Sequence, residues 1–157
     1  MLPSKINIQS VLIRPVQLSD AASLNLMCWA DRLPESIIEL LHRTQKLAIN
    51  RRGLGVVAVC DEIICGFGLL TLWPRSAEIS DLIVNAQYRS RGIGSTVIRY
   101  LTEAARSLQV QTLEIGVALS NPRALALYRR LGFNDGRTIE LDLGYGPEPV
   151  LYLYKDL

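Results

Sequence analysis

Apolar positions along the chain fall into two rhythms, one of strands and one of helices. Over residues 93–108, Val97, Ile98, Leu101, Ala104, Ala105 and Leu108 recur at steps of three and four, which predicts an amphipathic helix. The same spacing predicts helices over 20–30, 35–50 and 122–131. Between them lie short runs rich in β-branched and aliphatic residues, which predict strands at 9–14, 77–84 and 112–117 and a hairpin of 55–60 with 63–72. A last hairpin is expected from 136–143 and 150–154 across Gly144-Tyr145-Gly146-Pro147. Strands mixed with crossing helices indicate an α+β fold with mixed α/β layers.

The last helix carries the clearest punctuation. Asn121 is a strong N-cap, Pro122 suits the first helical position, where no N–H is needed, and Gly132 suits a left-handed residue past the end. Ala124, Leu127, Tyr128 and Leu131 then share one face. From spacing alone Tyr128 is a core tyrosine whose hydroxyl needs a partner.

Composition narrows the class. The 157 residues, 49% hydrophobic and 20% charged, suffice for one domain spanning 1–157. No repeat, low-complexity tract or Pro/Gly-rich linker divides them. No apolar run reaches the roughly 20 residues of a membrane span. The start lacks the basic, apolar, small-residue progression of a secretory signal, so a cytoplasmic location is expected. A net charge of +2 with interspersed signs argues against nucleic-acid binding. Cys28, Cys60 and Cys65 lack metal-ligand spacing, so no metal is expected. Cys60 and Cys65 could face each other across a hairpin, but a reducing compartment predicts free thiols. His42, the only histidine, receives no catalytic role.

The richest chemistry lies at Arg89-Ser90-Arg91-Gly92-Ile93-Gly94-Ser95, between a predicted strand and a predicted helix. Two glycines one residue apart let successive backbone N–H groups point at one anion, the helix adds its positive end, and the arginines supply charge for the rest of a polyanion. A Walker-type loop would need a lysine before Ser95, and none is present. The dinucleotide scheme finds a downstream acid in Glu114, but Val97 holds its third glycine position and the approach from the strand is long.

Arg89-x-x-Gly92-x-Gly94 matches the Gln/Arg-x-x-Gly-x-Gly/Ala signature of the GNAT superfamily of N-acetyltransferases. The segment Val11-Leu12-Ile13-Arg14-Pro15 with Leu18-Ser19-Asp20 resembles that family's first strand and helix entry. Asn121-Pro122-Arg123-Ala124-Leu125-Ala126-Leu127-Tyr128-Arg129-Arg130-Leu131-Gly132-Phe133 is similar to its Asn-x-x-Ala-x-x-Leu-Tyr-x-x-x-Gly-Phe segment. The resemblance implies a GNAT-like fold, with a mixed sheet of about six to seven strands and about four helices, splayed between 77–84 and 112–117. It implies acetyl-CoA as co-substrate, its pyrophosphate on Arg89, Ser90, Arg91, Gly92, Ile93, Gly94 and Ser95. Its pantetheine arm would lie in the splay along Leu82, Ile83 and Val84, with Asn121 and Tyr128 beside it. Tyr128 takes the place of the family's general acid; a phenol of pKa about 10 and a thiol of about 8.5 are close enough for that role.

For the base the resemblance offers two carboxylates. Glu78, six residues before Val84, is similar in position to the catalytic glutamate of histone-type members. Strand alternation would set Glu78, Ser80, Leu82 and Val84 on one face, and Ile79, Asp81 and Ile83 on the other. A solvated strand glutamate fits the same pattern. Glu114 is the second candidate, displaced by two positions from Gly116, where ribosomal-protein N-terminal acetyltransferases keep a glutamate. The implied partner is an amine-bearing substrate, whether a small amine, an amino acid, an antibiotic or a peptide or protein amine. Family members are often homodimers, and Trp29 and Trp73 are candidates for such a contact or for the core. A non-catalytic acyl-CoA-binding sensor or interaction domain is the alternative function.

Overall fold

The structure is a computed structural model that describes residues 8–157. Among the described residues seven strands form one sheet in the order β1-β2-β3-β4-β5-β7-β6. They are β1 (Val11–Pro15), β2 (Gly53–Cys60), β3 (Ile63–Leu72), β4 (Ser76–Val84), β5 (Thr112–Ala118), β6 (Asn134–Asp142) and β7 (Pro147–Asp156). Four α-helices cover them: α1 (Ala21–Met27), α2 (Pro34–Ile49), α3 (Ile93–Ser107) and α4 (Pro122–Arg130). Every neighbouring pair is antiparallel except β4 with β5, so the sheet is mixed, as expected.

Two cores flank the sheet. On one face α3 and α4 bury Val97, Ile98, Leu101 and Tyr128 against Ala77, Ile79, Leu113, Ile115 and Leu153. On the other, α1 and α2 bury Leu24, Ile37 and Leu41 against Val57, Phe67 and Leu69. Trp29 lies in that second core, 5.4 Å edge-on to Phe67, whereas Trp73 is 49% exposed. Trp29 therefore belongs to packing.

Several expected boundaries move. The helix expected over 20–30 stops at Met27. Asn25 Nδ2 donates to the carbonyls of Trp29 and Arg32, holding the chain in a turn where a helix would continue. The final hairpin is longer than expected, with β6 and β7 pairing from Asn134↔Tyr154 to Asp142↔Pro147.

The expectation of free thiols at Cys60 and Cys65 is overturned, because the two are joined by a disulfide. Cys60 pairs with Ile63 across the β2–β3 hairpin, so Cys65, two residues further, projects to the same face. Hairpin geometry decided what compartment reasoning could not. Cys28 is the free cysteine, and burial pushes its thiol up to about 11.

Strand β4 holds the correction that matters most for the site. Phe67 pairs with Ile83 but Leu69 pairs with Ser80, so two residues of β4, Asp81 and Leu82, oppose Gly68 alone. This is a bulge, with Asp81 at φ 53°. The extra residue resets the alternation. Glu78 and Ser80 keep one face, while Leu82 and Val84 turn to the α3–α4 core with Ala77 and Ile79. The expected single row Glu78, Ser80, Leu82, Val84 is therefore broken after Ser80. Ile83, in turn, packs on the α1–α2 side. Gly68 suits the bulge because α3 lies directly on it: a Cβ there would come within 2.8 Å of Val97 Cγ1.

Among the described residues no helix is long and apolar enough to cross a membrane, and no group of His, Cys, Asp or Glu is arranged to hold a metal ion.

Candidate active site

β4 and β5 begin as hydrogen-bonded neighbours and then part. Their pairing runs from Ser76↔Thr112 to Ile79↔Ile115 and goes no further, although both strands continue. Beyond Ile79, β4 is held on the β3 side only, through Leu69↔Ser80, Phe67↔Ile83 and Gly66↔Val84. The Asn85 N–H donates to the Cys65 carbonyl, toward β3. Strand alternation then aims the N–H groups of Val84 and Leu82 the other way, into the opening. This is the splay expected between 77–84 and 112–117.

The glycine loop closes one end of that opening. Ser90 and Gly92 both take left-handed conformations, at φ 62° and 78°, which wrap the chain before α3 starts. Gly92 is the helix N-cap and carries no side-chain cap, so the first-turn N–H groups of α3 are not claimed by a capping side chain. They retain the donor capacity and positive potential that a phosphate needs. A Cβ at Gly94 would lie 3.8 Å from Val84 Cγ2 and 3.7 Å from Leu127 Cδ2. Loop, β4 end and α4 thus meet at Gly94. Arg89 Nε donates to the Val84 carbonyl at 3.2 Å, and Arg123 donates to Ser90 Oγ at 2.8 Å, tying α4 to the loop.

Helix α4 forms as its punctuation dictates. Asn121 Oδ1 accepts from the Ala124 N–H at 3.2 Å, Pro122 opens the helix, and Gly132 follows it at φ 92°. Its inner face sets Tyr128 in the core, with the ring 6.4 Å from Phe133. Burial pushes the Tyr128 phenol up to about 12, so it holds its proton at neutral pH. Among the described residues the Tyr128 oxygen has no hydrogen-bond partner, yet no fully buried side-chain oxygen is left unpartnered. The phenol oxygen therefore touches solvent.

Glu78 and Glu114 stand side by side as register partners on β4 and β5, both half-buried, on the face away from α3 and α4. Burial holds the Glu78 carboxyl above its ordinary range; a Trp73 hydrogen bond opposes this, and the charges of Glu114 and Asp81 add to it. Tyr128 and the two glutamates thus occupy opposite faces of the sheet. They can act on one bond only through the opening where β4 and β5 part.

Sequence reasoning assigned nothing to Tyr152 or Arg137 on this face, and marked Trp73 only as a candidate for a dimer contact or the core, not as a partner of Glu78. Tyr152 pairs with Gly116, and Arg137 lies over the Tyr152 ring at 5.7 Å. The only local signal was the alternation of Tyr152 with Tyr154, which any half-buried strand carries.

The sequence model of the Acetyltransferase (GNAT) family matches residues 19–133. Among characterised proteins, the ribosomal protein bS18 alanine N-acetyltransferase of Salmonella typhimurium is 29% identical over 86 residues, 55% of this chain and 58% of that protein. The thialysine N-epsilon-acetyltransferase of Bos taurus is 34% identical over 77 residues, 46% of this chain and 45% of that one. The chain thus spans about half the length of these relatives. Solved structures match over more of their length. A ribosomal-protein-alanine N-acetyltransferase from Brucella melitensis superposes with TM-score 0.76 at 24% identity, covering 93% of this chain and 99% of that one. The PaiA N-acetyltransferase of Thermoplasma acidophilum, solved in complex with coenzyme A, superposes with TM-score 0.75 at 19% identity, covering 95% and 100%. With a family match over most of its length and a sheet that parts after Ile79↔Ile115, the chain belongs to the GNAT acetyltransferase family.

Proposed function

We propose that this protein is an acetyl-CoA-dependent N-acetyltransferase that moves the acetyl group directly to a primary amine in a ternary complex. The observation that carries this reading is the opening between β4 and β5, flanked by the uncapped start of α3 on one side and Tyr128 on the other. Residues fit the cofactor. The α3 first-turn N–H groups with Arg89, Ser90, Arg91, Gly92, Ile93, Gly94 and Ser95 would hold the pyrophosphate. The open edge of β4 at Leu82, Ile83 and Val84 would receive the pantetheine amides as an added strand. Asn121 spends its oxygen on the α4 cap and keeps its amide N–H₂ for the same arm.

Bound acetyl-CoA supplies the activated acyl group, whose sulfur departs as the amine nitrogen bonds to the carbonyl carbon. The Leu82 and Val84 N–H groups would donate to the carbonyl oxygen as its charge grows. Tyr128, protonated because it is buried, donates to the leaving sulfur and is reprotonated from the solvent its oxygen touches, which also takes the second proton shed by the nitrogen as the amide forms. Glu78, with its affinity for protons raised by burial, accepts the proton that the ammonium must lose, and Glu114 is the second acceptor in reach. The activities for which the relatives are named, on a ribosomal protein alanine and on thialysine, both modify amines, which supports an amine acceptor.

The test is thiol release from acetyl-CoA across a panel of amines and peptide N-termini, with CoA binding measured separately by calorimetry. Release with one substrate group is the expected result. CoA binding without release across the panel would favour an acyl-CoA sensor, and absence of CoA binding would remove the loop from the argument.

A further inference from the structure

The acetyl-transfer reading leaves a cation unused on the sheet face that holds Glu78 and Glu114. Strand β6 carries a bulge of its own: Asp135 pairs with Leu153 and Thr138 with Leu151, so Gly136 and Arg137 together oppose Tyr152. Glycine is needed at 136, because a Cβ there would come within 2.5 Å of the Tyr152 carbonyl oxygen. The bulge delivers Arg137 over the Tyr152 ring, its guanidinium carbon 5.7 Å from the ring centroid. Tyr152 lies between Leu151 and Leu153, which enter the α3–α4 core, so its ring stands on the opposite face.

That ring leads from the cation to the mouth of the cleft. Tyr152 pairs with Gly116, the first β5 residue beyond the last β4–β5 pair. A Cβ at 116 would lie 3.2 Å from both Cε1 and Cζ, so the outer end of the ring rests on Gly116, where the sheet begins to part. One aromatic ring therefore separates the guanidinium from the start of the opening.

Arg137 has no carboxylate of its own. Asp135, two residues earlier, is committed to Arg129 by hydrogen bonds of 3.0 and 2.6 Å. Among the described residues Arg137 makes no ion pair. Glu78 and Glu114, register partners, lie three and two strands away on the same face. The face thus has a cationic pole on β6 and an anionic pole on β4 and β5, with Tyr152 between them.

We propose that the acetyl acceptor is a free amino acid, its carboxylate held by Arg137 and its amine directed to the opening beside Glu78 and Glu114. The inference rests on the acetyltransferase reading for its chemistry, and on the stacking of Arg137, Tyr152 and Gly116 for its geometry. A guanidinium presents paired N–H donors that match the two oxygens of a carboxylate, and the ring beneath it limits where it can point. Charge sets the orientation, since a reversed zwitterion would bring its carboxylate against two glutamates. The short path across one ring suits a small molecule that carries both charges.

The probes are the common α-amino acids with β-alanine and γ-aminobutyrate, each compared with its own carboxamide in thiol release from acetyl-CoA. For the preferred amino acid, kcat/KM in wild type should exceed that of the carboxamide about tenfold to a hundredfold, the worth of a charge-assisted hydrogen-bond pair. In Arg137→Gln that ratio should fall toward one, and Arg137→Lys, which keeps the charge without the fork, should retain part of it. Comparing ratios between variants cancels the intrinsic reactivity of each amine. A ratio near one in wild type, or one that Arg137→Gln leaves in place, would overturn the inference while the acetyltransferase reading stands. Equal preference for a peptide beginning Gly-Asp would assign Arg137 to acidic peptides and overturn the amino-acid class.

Calorimetry without CoA reads the site apart from turnover. The preferred amino acid should bind wild type about tenfold more tightly than Arg137→Gln. If that difference is seen while no amine of either series releases thiol, the acetyltransferase reading fails and the carboxylate site stands. Equal binding to both proteins would remove Arg137 from the site.

Discussion

The two halves of β4 carry different loads. Ser76–Ile79 has a strand on either side, and its inward residues Ala77 and Ile79 are almost fully buried. From Ser80 onward the strand has β3 alone, a bulge at Asp81–Leu82, and half-buried side chains at Leu82, Ile83 and Val84. One half is built for stability. The other gives up a row of sheet hydrogen bonds and so keeps backbone donors for a ligand. The lesson is that a binding cleft arises here by withholding a neighbour from a strand, with no loop insertion required.

Substitutions can separate the two halves. Ile79→Ala in the doubly paired half should cost about 3 kcal/mol in denaturant unfolding, because it leaves a cavity at a fully buried site. Leu82→Ala in the open half should cost about 1 kcal/mol and weaken CoA. Equal costs would break the comparison. Tyr128→Phe should lower turnover about a hundredfold, near 2.7 kcal/mol, with CoA affinity nearly unchanged. Unchanged turnover would remove the phenol from the chemistry. Gly92→Asp should weaken CoA about thirtyfold by calorimetry, since it adds a negative charge to the anion cradle and a side chain at φ 78°.

The smallest effects are in pH, where two carboxylates should behave oppositely. Glu78 is raised, chiefly by burial, so it binds a proton more tightly folded than unfolded. Its presence makes stability fall as pH rises between the ordinary glutamate value and its own raised value, and Glu78→Gln should abolish that slope. Burial also opposes charge on Asp20, but the Arg14 hydrogen bond, the Gln17 N–H and the Arg14 charge outweigh it and lower the carboxyl. That pair, Arg14 Nη2 to Asp20 Oδ1 at 2.8 Å, stabilises the fold above the ordinary aspartate range. Its contribution is lost as pH falls through the depressed value. Asp20→Asn should cost about 1 kcal/mol near neutral pH and little in acid, read by unfolding across pH. An acid limb of kcat/KM above the ordinary glutamate range, absent in Glu78→Gln, would tie the base to the open face.

Local signals explain which parts of the molecule were legible beforehand. Asn121, Pro122 and Gly132 set the limits of α4 through groups within one turn of each end, and the structure keeps each in its expected role. The amphipathic spacing of α3 needed no partner to be read, and the glycine loop before it carried its own conformational demand at Gly92. Glu78 and Glu114 could be named as candidates because the family resemblance picked out their distances from Val84 and Gly116 along strands the sequence had already marked.

What tertiary structure alone decided concerns contacts between distant segments. The β4 bulge exists because β3 offers Gly68 and α3 presses on it, so the facing of Leu82 and Val84 was set by residues elsewhere in the chain. Tyr152 covers Gly116 across a pairing between β5 and β7, and Cys60 meets Cys65 because a hairpin register puts them on one face. Helical periodicity and caps are short-range properties, so the sequence by itself determined α3, α4 and the glycine loop, whereas the early end of α1 came from the Asn25 contacts with Trp29 and Arg32. Strand facing depends on register, and a single extra residue reverses it. The assembled sheet therefore determined which side chains look into the cleft.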